Sequence, residues 1–356
     1  MLRLLGAVTV MLVLLVILEL VLRMLPVVSG LHRQAPQSPS ASARLLPDSD
    51  YTWSIGWDLR NVVQGRTNAM GFLSPHEYTS DKRAVALLGD SYVEAHMLRY
   101  DESLAGHLDA RWNGLADAFN FGLAGASLPQ YLGIAREMGS RFTFEAAIMV
   151  VTPGDYAGGF EGKKGLYKWH EHPERDLVEL VPQAQRGAVR QLASELALLR
   201  YVRANLKLGR KQLLTTASEA CVPQTLSGKD HERLATYVDA LQRALRLPPN
   251  KIVLVFNAPT SDIYERVDRN RDPSERCPDL DANALGELRR LAASRGMKIV
   301  DVAQVLESHY RTHRRQLDFR PLDSHWNGLA AGAIANAVVH VLALHDARVL
   351  RTASPG

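Results

Sequence analysis

The chain has 356 residues, 46% apolar and 22% charged, with a net charge of +4. Those proportions exclude general disorder, and the length suits one large domain or two small ones. Its 42 Lys and Arg are interspersed with 38 Asp and Glu and accompany no nucleic-acid motif, which excludes nucleic acid as a partner; an anionic membrane surface or acidic polymer fits better.

From Leu4 to Leu18 every residue is apolar or small, and the run resumes around Glu19 and Arg23 as far as Val28. A stretch of about 25 such residues is long enough to span a bilayer. Glu19 and Arg23, four apart, can pair along the helix and lower the cost of charge near its end. Residues 1–28 are therefore read as an uncleaved transmembrane anchor, with a signal sequence cleaved after Ser29 as the alternative. Arginines on both flanks leave the positive-inside count undecided; the short N-terminal flank places the globular part on the extracytoplasmic side of the cell membrane.

Residues 29–50, rich in Ser, Pro and Ala, read as a tether, 51–346 as the folded domain and 347–356 as a tail. Apolar runs at 84–89, 117–121, 146–152, 251–257 and 297–302 predict five strands. Helical stretches near 101–112, 128–139, 184–208, 229–246, 281–295 and 327–345 separate them, the alternation of a parallel sheet flanked by helices. Residues 155–182, with Gly158, Gly159, Gly162 and Gly165, form a long insertion after the third strand, and the cationic segment 186–211 reads as a solvated basic face. Cys221 and Cys277, each within two residues of a proline in a loop segment, are numerous enough for one disulfide in an oxidising compartment, with two unrelated thiols as the alternative.

Gly89-Asp90-Ser91-Tyr92 follows the first strand, at the sheet edge where open α/β proteins place their ligand sites. Ser91 is thus a candidate nucleophile, and a serine hydroxyl needs a base that is itself oriented. Asp323-Ser324-His325-Trp326-Asn327 offers both, since a carboxylate two residues before a histidine can accept the Nδ1 proton and leave Nε2 for the serine. The second strand ends in Asn120-Phe121-Gly122-Leu123-Ala124-Gly125, whose glycines permit positive φ and uncovered N–H groups suited to an anion. His170-Glu171-His172 lacks a third ligand at recognisable spacing, so no metal site is expected, and His96 reads as a surface residue or a substrate contact.

These three blocks, in this order, resemble the GDSL/SGNH hydrolase superfamily over about residues 60–345. Thr67-Asn68-Ala69-Met70-Gly71-Phe72 resembles a segment found before the Gly-Asp-Ser block in membrane-anchored members. The resemblance implies a flavodoxin-like three-layer α/β/α sandwich with a five-stranded parallel sheet, and cofactor-free ester hydrolysis through an acyl-enzyme. Ser91 would be nucleophile, His325 base and Asp323 its orienter, with the Ser91 and Gly125 N–H groups on the oxyanion; Asp90, Asn120 and Gly154 fall at the oxyanion and substrate positions. Where the family carries an oxyanion asparagine, this chain has Gly154, in Thr152-Pro153-Gly154-Asp155, which implies a slow or specialised enzyme or a degenerate binding protein unless another donor, such as the Gly154 N–H, replaces it. An acylated small molecule or envelope carbohydrate is the implied substrate, with an acetyl-like group removed. Asp323-Ser324-His325-Trp326 is also similar to a block of polysaccharide O-acetylation proteins, which implies O-acyl transfer as the alternative.

Overall fold

The computed structural model describes residues 2–34, 36, 41–172, 176–182, 193–206, 224–271 and 279–343. Two antiparallel pairs come first, β1 (Arg33–Gln34) with β2 (Arg44–Leu45) and β3 (Asp50–Ile55) with β4 (Arg60–Arg66). The central sheet follows, built from β5 (Ala84–Leu88), β6 (Asp117–Asn120), β7 (Phe144–Val151), β10 (Ile252–Phe256) and β11 (Lys298–Asp301). Two small pairs, β8 (Tyr167–Trp169) with β9 (Val178–Leu180) and β12 (Asp318–Phe319) with β13 (Asp323–Trp326), lie outside it. The five predicted strands match the sheet to within about two residues at each end.

All pairings in the sheet are parallel, in the order β11-β10-β7-β5-β6. By order of occurrence this is 2-1-3-4-5 read from the other edge, the flavodoxin-like winding, whose switch point lies between β5 and β7. Both faces are covered, so the strands are continuous apolar runs without alternation. Ala84, Ala86 and Leu88 pack with Met149 and Leu254 against helices Leu128–Arg141, Gly228–Leu245 and Leu280–Ser294. Val85 and Leu87 pack with Ile148, Val253 and Val255 against helices Leu104–Trp112, Val302–His313 and Gly328–Leu342. The result is three layers, α/β/α.

Two helices were not anticipated, Thr260–Asp268 and Val302–His313, although Asp301 caps the second by accepting from the Ala303 N–H. The described part of 29–50 is not a loose tether. Ala43 is fully buried, and the Ser42 N–H and Arg44 guanidinium both lie 2.6 Å from the carboxylate of Glu137, a buried charge that needs such partners. Ser29 bridges to Thr52, and Leu45 is buried beside Tyr51 and Val63.

Over Arg3–Met24 the helix Leu2–Met24 is long and apolar enough to cross a membrane, with a mean hydropathy of 2.8 and none of its apolar 18-residue window buried. Of the helix expected at 184–208, Ala197–Arg200 and a π turn Tyr201–Asn205 are described.

Candidate active site

β5 ends at Leu88, and the chain turns through Gly89 into the short helix Ser91–Glu94. Asp90 caps that helix, its Oδ1 accepting from the Tyr92 N–H at 3.0 Å. Ser91 therefore stands on a rigid turn at the carboxyl end of an interior strand. His325 arrives from β13, and its Nε2 lies 2.7 Å from Ser91 Oγ. The other ring nitrogen, Nδ1, meets Asp323 Oδ1, which also accepts the His325 N–H at 2.9 Å. The Asp323 side chain is only 9% exposed, so its pairing with the imidazole is shielded from competing water.

Neighbouring residues fix this loop. The Tyr92 ring stands 4.7 Å from the His325 ring and 4.8 Å from buried Trp326, and its hydroxyl donates to the Ser324 carbonyl at 3.4 Å. Burial pushes the Tyr92 phenol up to about 12, so it serves as a neutral prop. Below the loop, buried Asp318 accepts from Thr260 and pairs with Arg320 at 2.8 Å. Asn327 ends the loop and caps Gly328–Leu342, its Oδ1 accepting from Leu329 and Ala330.

Behind Ser91, Asp90 Oδ2 accepts from Thr152 Oγ1 at 3.2 Å, and Asp155, fully surrounded, accepts from the Thr152 N–H at 2.8 Å and the Tyr131 hydroxyl at 3.0 Å. Burial raises both carboxyls, and the Asp90 charge raises Asp155 further, well above the carboxylate range.

The turn after β6 lies beside the site. A Cβ on Gly122 would meet the Glu94 backbone nitrogen at 2.1 Å, so only glycine lets this turn press against helix Ser91–Glu94. Gly125 has φ +72 with nothing within 4 Å of where a Cβ would stand. Asn120 corrects an expectation. Its amide donates to the Val93 and Leu73 carbonyls at 2.9 and 3.3 Å and accepts from Gly122, so it staples the turn instead of facing a substrate.

Gly154 has φ +96 and open space at its missing Cβ. Next to it, the Asp281 carboxylate accepts the N–H groups of Tyr156 and Ala157 at 3.0 Å each.

Glu94 escaped the sequence reading. It is 5% exposed and accepts from the Ala124 N–H and from His96 Nδ1, both at 2.7 Å, tying the glycine turn to the Ser91 helix. His96 is accordingly a partner of Glu94, packed 4.4 Å from the Trp53 ring. Asn257, directly after β10, is buried with its Oδ1 unpartnered. For Asn257, a polar residue directly after an apolar strand run was the available signal.

His170 and His172 are held by local bonds, the His172 N–H donating to His170 Nδ1 at 2.8 Å. Among the described residues the cluster with metal-ligand spacing is His76, Asp109 and Asp117. Its Asp109 oxygens are already taken by His76 at 2.8 Å, the Tyr100 hydroxyl at 2.5 Å and the Ala118 N–H at 2.7 Å. Cys221 and Cys277 lie outside the described residues.

The arrangement defines a hydroxyl–imidazole–carboxylate site at the switch point of a flavodoxin-like sheet. No family model and no curated protein matches the chain. Among solved structures it is similar to a member of the lipolytic protein G-D-S-L family from Veillonella parvula, at 13% identity and TM-score 0.36 over 74% of this chain and 100% of that one. It is likewise similar to Est24, a carbohydrate acetylesterase from Sinorhizobium meliloti (9% identity, TM-score 0.37, 74% and 99%). A third is LAE5, an alpha/beta hydrolase enzyme from a Lake Arreo metagenome (13%, TM-score 0.40, 75% and 97%).

Proposed function

We propose that this chain is a membrane-anchored serine esterase of the GDSL/SGNH type that cleaves a short O-acyl ester, acetyl-like, from a carbohydrate or other envelope molecule outside the cytoplasmic membrane. The observation that carries the reading is the 2.7 Å contact between Ser91 Oγ and His325 Nε2, with Asp323 on the opposite ring nitrogen. In that geometry His325 takes the Ser91 proton as Oγ attacks the ester carbonyl, and Asp323 stabilises the resulting imidazolium. His325 then gives the proton to the leaving alcohol, and water activated by the same imidazole releases the acid. The Ser91 and Gly125 N–H groups are assigned to the oxyanion. With no side chain at Gly154 the hole has one donor fewer than the family pattern, which costs about 10² to 10³ in rate.

The test uses the full chain, because Glu19, Ser42 and Ala43 are built into the fold. Hydrolysis of p-nitrophenyl acetate and longer esters is expected, and Ser91→Ala and His325→Ala should each lower kcat by about 10⁴ or more. Activity surviving Ser91→Ala refutes the nucleophile. Fluorophosphonate labelling of Ser91 without turnover points to acyl transfer onto an acceptor hydroxyl, and absence of labelling to a binding protein on this fold.

A further inference from the structure

Glu19 is a carboxylate on an otherwise apolar helix, and the fold uses it. Its two oxygens accept the N–H groups of Ala197 and Leu198 at 3.0 and 2.9 Å, capping the helical segment that runs to Asn205, while Arg23 Nε lies 2.7 Å from Oε1. Leu22 and Val27 are buried against Ala197, with Leu59 and Tyr201 alongside. Asn205 then locks the exit of the helix to β3, accepting from the Val28 N–H at 3.3 Å and donating to Ser54 Oγ at 2.8 Å, while Ser54 donates to the Pro26 carbonyl at 2.5 Å. The domain is clamped to the base of its anchor.

The clamp brings the tip of the β3–β4 hairpin to that base. The Tyr201 hydroxyl donates to the Trp57 carbonyl at 2.6 Å, and the Trp57 side chain at the tip is 73% exposed. At the end of the helix Met24 is 87% and Leu25 45% exposed, Leu196 before the clamp segment is 37% exposed, and Arg60 on the hairpin and Arg203 on the segment are exposed. The same tip touches the loop that carries the base, since a Cβ on Gly56 would stand 3.1 Å from Leu322 Cδ1, one residue before Asp323.

The run Leu4–Leu18 covers about 22 Å at 1.5 Å per residue, short of the roughly 30 Å hydrocarbon thickness. The remainder falls on residues 19–24, the level at which Ala197 meets the helix. Tryptophan and arginine at that level suit the interfacial layer, where an amphipathic ring and cationic groups meet lipid head groups.

We propose that the hairpin tip at Trp57 and the segment 196–203 rest in the head-group layer of the bilayer that the anchor crosses. The Ser91–His325 site is thereby held at a fixed height beside the membrane. The inference rests on the anchor reading and adds that the domain does not swing on a tether.

The full chain in lipid nanodiscs provides the test, with phospholipids brominated at shallow acyl positions compared with unbrominated ones. Bromolipid quenching of tryptophan emission is expected, and Trp57→Phe should remove most of it. Glu19→Ala should leave the chain in the disc yet abolish the Trp57 component, whereas Glu19→Gln, which keeps one acceptor, should retain part of it. A chain that stays in the disc with no difference between wild type and Trp57→Phe overturns the docking and leaves the anchor intact. A chain that does not enter the disc overturns both.

Discussion

Under the proposed reading, position 154 sets what the oxyanion site can offer. With φ at +96 the residue lies beyond the left-handed region that asparagine tolerates, near +57, in a turn whose Tyr156 and Ala157 N–H groups both meet the Asp281 carboxylate. Placing an asparagine there does not simply restore a donor, because the turn must first shift and loosen the Tyr156 and Ala157 N–H contacts to Asp281. Gly154→Asn is therefore expected to destabilise the fold by about 1 to 3 kcal/mol and to give no gain in esterase rate. Denaturant melts and p-nitrophenyl acetate kinetics on the same preparation check both halves. An increase in kcat would show that the turn adapts and that the missing donor limits the enzyme.

The helix Ser91–Glu94 and the turn after β6 act together, and Glu94 joins them. Burial by itself would raise the Glu94 carboxyl, but the bond to His96, the charge on that ring, the Ala124 N–H and Arg33 together hold it below the usual range. A depressed folded pKa means stability that is present above the unfolded value and is lost as pH falls through the folded one. Glu94→Gln should accordingly lower stability at neutral pH by about 1 to 3 kcal/mol, with the gap to wild type closing in acid. Chemical denaturation at descending pH measures this, and a gap constant with pH would mean that Glu94 does not titrate as argued.

These two elements also show what a linear reading reveals. The five strands were legible because burial on both faces forces unbroken apolar runs, and Ser91, Asp323 and His325 because a strand end and a short-range Asp-x-His pair are local patterns. Glu94 was not, since nothing near a charged residue on a four-residue helix announces that its partners are His96 and the turn at Ala124. The hairpin 50–66 was overlooked although Tyr51, Trp53 and Ile55 alternate, and residues 41–45 read as a tether because their composition hides Ala43 in the core and Arg44 on Glu137.

Across the whole molecule the sheet's carboxyl edge collects acids, with part-buried Asp90 after β5 and buried Asp155 after β7 linked through Thr152. Each is raised first by burial, and Asp155 also by the Asp90 charge, so the pair resists ionising together. A raised folded pKa reverses the sign found at Glu94. Between the ordinary carboxyl range and the raised value, the folded state holds a proton that the unfolded chain has released, so stability falls as pH rises through that window. Replacing Asp155 by asparagine removes this titration while keeping an oxygen for the Thr152 N–H and the Tyr131 hydroxyl. Asp155→Asn should match wild type in mild acid and become progressively the more stable of the two as pH rises, measured by denaturant melts of the full chain from about pH 4 to 9. Curves that stay parallel throughout would show Asp155 ionised in the fold, and the neutral acid behind Ser91 would have to be abandoned.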